Sequence, residues 1–128
     1  MIKNICVLVS GGGTNLQALI DAQKSGLIKN GKITCVIASK EGVYALERAK
    51  QNNIDSRVIP RKEFDSVKDY TKAVTDALVE EKADLIVYAG FMTILDEQIV
   101  KAFPNKMMNV HPALIPSFCG KGFYGLHV

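Results

Sequence analysis

The 128-residue sequence predicts an α/β fold built on a doubly wound, mostly parallel sheet. Short apolar runs rich in Val and Ile alternate with stretches whose apolar residues recur at helical spacing. The runs at 5–9 and 85–89 are apolar at successive positions, which is typical of strands covered by helices on both faces. Strand–helix–strand repetition favours parallel pairing through right-handed crossovers. We therefore expect one domain over residues 1–128.

The individual elements follow from these patterns. The predicted strands are Ile5–Val9, Ile33–Ala38, Arg57–Ile59, Leu85–Ala89 and Met107–Val110. Helical spacing is predicted around Leu16, Leu19 and Ile20, and from Tyr70 through Ala73 and Val74 to Ala77 and Leu78. A further helix is expected to begin at Asp96, with Glu97 in its first turn and Ile99, Val100 and Phe103 facing the core. The two prolines and three glycines after Asn109 predict an irregular loop, after which we expect the fold to be cut short.

Composition limits the class of protein. With 48% hydrophobic and 23% charged residues, the chain is too apolar for disorder, and no apolar run approaches the ~20 residues of a membrane span. No signal peptide is expected. The three cysteines form neither a disulfide framework nor a metal pair with the two histidines, which predicts a reduced, cytoplasmic protein without a metal. A net charge of +3 suits small anionic ligands and is too small to indicate nucleic acid.

A glycine-rich turn follows the first predicted strand. Gly11, Gly12 and Gly13 lead into a helix that Thr14 or Asn15 is expected to cap. Free N–H groups and the positive end of the helix dipole at such a turn bind anions, and glycines let a phosphate approach the backbone. The turn lacks the lysine of a P-loop. Leu16 stands where a dinucleotide-binding motif needs its third glycine. Without that motif, Glu41 is only weakly supported as a ligand of a ribose hydroxyl. The turn indicates a site for one phosphate, although it could also serve only to connect strand and helix.

Asn109 and His111 lie two residues apart at the carboxyl end of the fifth predicted strand, where open α/β sheets bind ligands. An amide can donate to a developing oxyanion, and imidazole moves protons near neutral pH. Together they suit attack of a neutral nucleophile on a carbonyl. A structural role for both residues is an equal alternative.

The loop after the fourth predicted strand, Ala89-Gly90-Phe91-Met92-Thr93-Ile94-Leu95, has two interpretations. Its apolar side chains and backbone groups could form a slot for a flat aromatic ligand. Composition alone favours the other reading, in which Phe91, Met92, Ile94 and Leu95 are core residues under the next helix.

Three segments together resemble the folate-dependent phosphoribosylglycinamide formyltransferases. They are Val-Leu-Val-Ser-Gly-Gly-Gly-Thr-Asn-Leu-Gln-Ala, Ala-Gly-Phe-Met-Thr-Ile-Leu and Met-Asn-Val-His-Pro-Ala-Leu-Ile-Pro-Ser-Phe, in this order along the chain. The resemblance implies a Rossmann-like formyltransferase topology, and transfer of a formyl group from the co-substrate 10-formyltetrahydrofolate to glycinamide ribonucleotide in purine biosynthesis. Small molecules, rather than nucleic acid or a membrane, are the implied partners.

The resemblance also implies roles for individual residues. Gly13, Thr14 and Asn15 would hold the substrate phosphate, and Asn109 and His111 would be catalytic, binding the formyl oxygen and transferring a proton. The implied folate-binding residues are Met92, Thr93, Ile94, Leu95, Asn109 and Lys68. Thr93 stands where relatives often have a basic residue. Relatives also commonly have a basic residue beside the segment Phe64-Asp65-Ser66, and Lys68 would take its place here. No position matches the family's catalytic Asp, so we expect weak or no turnover from these residues alone.

The residues alone leave three alternative interpretations open. Methionyl-tRNA formyltransferase and formyltetrahydrofolate deformylase share the Asn-x-His-Pro segment, but the turn at 11–15 fits a phosphoribosyl substrate better. A non-catalytic phosphate-binding half-domain would keep the turn and lose the chemistry. Self-association through an exposed sheet edge is a third alternative.

Overall fold

One five-stranded parallel sheet organises the chain, of which the computed structural model describes residues 2–28, 30–91 and 93–109. The strands are β1 (Lys3–Val9), β2 (Gly31–Ala38), β3 (Asp55–Val58), β4 (Leu85–Tyr88) and β5 (Met107–Asn109), and they are ordered β3-β2-β1-β4-β5. The helices are α1 (Thr14–Lys24), α2 (Tyr44–Gln51), α3 (Val67–Glu80) and α4 (Gln98–Ala102), with a 3₁₀ turn at Arg61–Glu63. The predicted α/β class and parallel sheet are confirmed.

Helices cover both faces of the sheet, as the apolar runs predicted. Along β1, successive side chains enter opposite cores: Val7 packs with the buried residues of α1 and α2, and Leu8 packs with those of α3 and α4. A strand buried on both sides needs apolar residues at every position, because its side chains alternate between two cores. This explains why β1 could be located from sequence.

The structure adds one helix that was not predicted and corrects the predicted buried face of another. The helix α2 escaped sequence analysis because its buried contribution consists only of Ala45 and Ala49, two small residues that make a weak apolar stripe. In α4, Ile99 and Phe103 are buried as predicted, whereas Val100 is 52% exposed. This five-residue helix packs one narrow stripe against α3, and a residue next to Ile99 in sequence lies about 100° around the helix from it.

Within the described ranges, the helices are too short or too polar to cross a bilayer.

Candidate phosphate and formyl-transfer site

The strand order places a ligand crevice between the carboxyl ends of β1 and β4. The chain leaves β1 toward β2 and β3 on one side, then crosses to β4 and β5 on the other. Loops that depart in opposite directions from neighbouring parallel strands leave a crevice at this switch point, which is where such sheets bind ligands. The turn at 11–13 follows β1 and the loop that begins at Gly90 follows β4, so two predicted motifs border this crevice.

Gly13 begins α1 in a backbone conformation that favours glycine. Its φ is 84° and ψ is 26°, in the left-handed region, and its carbonyl accepts the first helical hydrogen bond from Gln17 N–H at 2.8 Å. The predicted capping by Thr14 or Asn15 is wrong. Gly13 itself occupies the N-cap position, Thr14 is the first helical residue, and no side-chain cap bond is made there. The left-handed turn begins the helix one residue before a Thr or Asn could cap it.

The start of α1 has the electrostatics of an anion site. The helical hydrogen-bond ladder begins at Gln17, so the N–H groups of the first turn precede it. No acidic residue lies in that first turn to compete with an anion for the positive end of the dipole. Thr14 is exposed and Gly13 is half-buried, so a ligand can reach both. The arrangement suits one phosphate group.

The helix α2 holds the glycine turn from the side. Ala45 N–H donates to the Gly11 carbonyl at 3.3 Å, and Arg48 Nε donates to the Gly12 carbonyl at 2.8 Å. Arg48 also donates through Nη1 to Gln17 Oε1 of α1 at 3.1 Å, and its guanidinium lies 4.8 Å from the ring centroid of Tyr44. Sequence analysis missed Arg48, because only the packing of α2 beside α1 brings it to the turn.

The loop after β4 lies beside the phosphate turn. A side chain on Gly90, whose φ is 74°, would begin 3.5 Å from Nδ2 of Asn15. The reading of this loop as core is wrong for Ile94, which is 74% exposed, and holds in part for Phe91 and Leu95, which pack against the core of α3 and α4. The packed residues anchor the loop, and Ile94 remains available to an apolar ligand.

Hydrogen bonds to acceptors on α3 fix the path of the same loop toward α4. Asp96 N–H donates to Thr71 Oγ1 at 2.9 Å, and Gln98 Nε2 donates to the Lys68 carbonyl at 3.0 Å. The helix begins at Gln98, two residues after the predicted start, although the Asp96 carboxylate does accept the Gln98 N–H at 2.9 Å. Lys68 is exposed in the first turn of α3, and its carbonyl is the acceptor of this bond from Gln98.

Asn109 ends β5 as an exposed residue, in register with Tyr88 of β4. Neighbouring residues of parallel strands share a face, so the Asn109 side chain leaves the sheet on the side of α3 and α4, as does that of Tyr88. Tyr88 packs edge-to-face on Phe91 with ring centroids 5.8 Å apart, and burial raises its pKa. Asn109 therefore borders the loop after β4, one strand beyond the switch point.

Other predicted site residues are distributed as follows. Thr93 is half-buried in the loop after β4, and Glu41 is exposed in the turn after β2. His111 and Met92 lie outside the described residues. Among residues 2–28, 30–91 and 93–109, no three His, Cys, Asp or Glu side chains come together as metal ligands.

Comparison with known proteins identifies the family. The family model for formyl transferases matches residues 3–127. The chain belongs to the formyl transferase family. Within it, the chain is 45% identical over 123 residues to phosphoribosylglycinamide formyltransferase of Haemophilus influenzae, covering 96% of this chain and 58% of that protein. The "Trifunctional purine biosynthetic protein adenosine-3" of Gallus gallus is 40% identical over 95% of this chain and 12% of its own length.

Solved formyltransferase structures share the fold. Glycinamide ribonucleotide transformylase 1 from Symbiobacterium toebii superposes with a TM-score of 0.80 at 34% identity, covering 86% of this chain and 51% of its own. Phosphoribosylglycinamide formyltransferase from Coxiella burnetii gives a TM-score of 0.79 at 38% identity, covering 87% and 52%. This formyl transferase chain thus spans about half the length of these two solved proteins and 58% of the Haemophilus influenzae protein.

Proposed function

We propose that this protein takes part in transferring a formyl group from 10-formyltetrahydrofolate to the amine of glycinamide ribonucleotide, within one formyltransferase domain over residues 1–128. One observation carries the proposal. The glycine turn at Gly13 and the loop at Gly90 lie side by side at the switch point of the sheet, with Asn109 on the next strand. Neighbouring strands are about 5 Å apart. One phosphorylated substrate could therefore extend from the turn toward Asn109.

The turn after β1 is the proposed phosphate site. The backbone N–H groups of Gly13, Thr14 and Asn15 and the Thr14 hydroxyl would donate to the phosphate oxygens, and the α1 dipole favours the negative charge there. The amine at the other end of the ribonucleotide would then lie toward the ends of β4 and β5. Fixing both ends of the substrate converts the attack on the formyl group into an oriented, nearly intramolecular step.

The loop after β4 is the proposed folate site. Main-chain groups of residues 92–95 would hydrogen-bond the pterin edge, Ile94 would cover one side of the ring, and Lys68 would meet a carboxylate of the folate tail. The bound folate supplies the formyl group. The Asn109 amide would donate to the formyl oxygen as negative charge develops on it, and His111 would accept the proton released by the attacking amine. The bond between the formyl carbon and the folate N10 would then break, and N10 would take up a proton as it leaves.

Location and association are separate proposals. We infer a cytoplasmic protein, because Cys6 and Cys35 are buried free thiols, as expected in a reducing compartment. Self-association would use an exposed sheet edge. The strand β3 lies at one edge, and Asp55, Ser56 and Val58 on it are exposed. Sedimentation of the chain at several concentrations tests that association.

Binding titrations and a labelled-formyl assay test the function. Calorimetric titration should show binding of glycinamide ribonucleotide and of a folate analogue. Transfer of labelled formyl should go to the ribonucleotide amine rather than to water or charged tRNA. Where transfer is measured, Asn109→Ala should lower its rate about 10²–10³-fold and leave ribonucleotide affinity nearly unchanged, because it removes a donor to the developing oxyanion.

Asn30→Ala is the matched control, since Asn30 is exposed just before β2. It therefore lies at the amino ends of the strands, away from the proposed site at their carboxyl ends. It should leave both affinity and rate unchanged. Binding of the ribonucleotide without folate binding or transfer would support a non-catalytic phosphate-binding module instead. Label released to water, or found on charged tRNA, would identify one of the other formyl enzymes.

A further inference from the structure

Two consecutive carbonyls of the glycine turn are bound by α2. The Gly11 carbonyl accepts from the Ala45 backbone N–H at 3.3 Å, and the Gly12 carbonyl accepts from Arg48 Nε at 2.8 Å. These two bonds fix the orientation of two successive peptide groups, Gly11–Gly12 and Gly12–Gly13.

The orientation of each peptide group determines where its N–H points. The described residues contain no cis peptide bonds, and in a planar trans peptide the C=O of one residue and the N–H of the next point in opposite directions. Since both carbonyls point toward α2, the N–H groups of Gly12 and Gly13 point away from it. Successive N–H groups aimed to one side form a concave anion-binding nest.

Two further contacts hold the Arg48 side chain in place beside the turn. Its Nη1 donates to Gln17 Oε1 of α1 at 3.1 Å, and its guanidinium lies over the Tyr44 ring at 4.8 Å from the centroid. Thus one side chain joins α2, the turn and α1. Glycine at positions 12 and 13 leaves the peptide between them free to rotate unless something holds it, because no Cβ restricts their backbone angles.

We propose that Arg48 is a positioning residue of the phosphate site, which holds the Gly12 carbonyl and so aims the Gly13 N–H at the substrate phosphate. It acts through the peptide group, and the phosphate need not touch the guanidinium. This inference rests on the proposed function, because it assumes that the turn binds the phosphate of the ribonucleotide.

Three variants of the chain separate positioning from charge. Arg48→Met removes the hydrogen bonds and the charge. Arg48→Lys keeps the charge but cannot donate to both Gly12 and Gln17 with the planar guanidinium geometry. Lys50→Met removes one positive charge from an exposed position of the same helix. Circular dichroism melting identifies any variant that is unfolded. If Arg48→Met does not fold, Arg48→Lys is used in its place for both measurements below.

The first measurement follows the amide resonances of the turn by ¹⁵N–¹H correlation spectroscopy. In Arg48→Met and Arg48→Lys the Gly13 amide signal should shift or broaden, because the Gly12–Gly13 peptide loses its fixed orientation. Lys50→Met should leave that signal in place. An unchanged Gly13 amide in folded Arg48→Met would overturn the inference, whether or not the turn binds phosphate.

The second measurement compares glycinamide ribonucleotide with its dephosphorylated riboside by calorimetric titration. Loss of one aligned donor to a charged ligand should weaken ribonucleotide binding about tenfold in Arg48→Met and nearly as much in Arg48→Lys. Riboside binding and Lys50→Met should remain near wild type. Ribonucleotide affinity unchanged in Arg48→Met overturns the positioning role. Failure of the wild-type chain to bind the ribonucleotide contradicts the proposed function instead, and the amide measurement still tests the orientation.

Discussion

Ala45 of α2 packs directly against Gly13 at the start of α1. A methyl group on Gly13 would lie 2.8 Å from both Cα and Cβ of Ala45, closer than carbon atoms can pack, and Gly13 has a φ of 84°. Close approach and a left-handed backbone thus both require glycine at this position. This pair lets α2 approach the glycine turn closely enough to bond its carbonyls.

Gly13→Ala should therefore destabilise the fold. Strain in the left-handed region and the clash with Ala45 together should lower the free energy of unfolding by about 2–4 kcal/mol, measured by urea denaturation. Gly11→Ala is the control, since a methyl group there meets nothing within 4 Å. It should cost no more than about 1 kcal/mol. Equal losses in the two variants would contradict the described packing of α2.

Truncation to alanine should destabilise the fold at Ile99 and leave its stability nearly unchanged at Ile94. Ile99 is 1% exposed in the core of α3 and α4, so Ile99→Ala should lower the free energy of unfolding by about 2–4 kcal/mol. Ile94 is 74% exposed, so Ile94→Ala should change it by no more than about 0.5 kcal/mol. Folate-analogue titration of Ile94→Ala should show weaker binding if this side chain covers the pterin. Unchanged affinity would remove Ile94 from the proposed folate site.

Tyr70 should make stability depend on pH in the alkaline range. Its hydroxyl donates to the Ile59 carbonyl at 2.7 Å, and burial raises its pKa from 10.0 to about 12. Below pH 10 both states keep the phenol proton. Between pH 10 and 12 the unfolded chain loses it first, so the free energy of unfolding should fall by about 2 kcal/mol.

The comparison of wild type with Tyr70→Phe isolates this effect. Denaturant unfolding at a series of pH values should show a smaller loss of stability above pH 10 in Tyr70→Phe. Tyr44→Phe, which alters an exposed tyrosine of α2, should retain the wild-type slope. Identical slopes for wild type and Tyr70→Phe would contradict the buried environment of this hydroxyl.

Cys6 and Cys35 should be protected from thiol reagents in the folded state. They are register partners on β1 and β2, and both are fully buried. The hydrogen bond that the Cys35 thiol shares with Cys6, together with burial, raises the pKa of Cys35, which disfavours the reactive thiolate. In a Cys119→Ser background, Ellman's reagent should label neither thiol quickly until guanidinium chloride unfolds the chain. Fast labelling of the native protein would contradict this burial.

Patterns within a segment predicted the strand β1, which faces two cores, and the helix α3, which faces one. The strand β1 is apolar at every buried position, and in α3 the buried residues Tyr70, Val74 and Leu78 recur at a spacing of four. The helix α2 gave no such signal, because Ala45 and Ala49 bury little surface. Local patterns likewise located the glycine turn, yet they misassigned its cap to Thr14 or Asn15. The chain direction at Gly13 depends on α2, which lies far along the sequence.

The sequence alone predicted the number of strands in the described part of the chain and their parallel pairing, although it placed β3 at Arg57–Ile59 and the structure has it at Asp55–Val58. Periodic burial and the backbone requirements of glycine are local properties of the chain. Only the tertiary structure brought Arg48 to Gly12, 36 positions away, exposed Ile94, and turned Val100 out of the core. These outcomes depend on which helix packs beside which strand. That choice is made by burial summed over the whole sheet, so no single segment carries it.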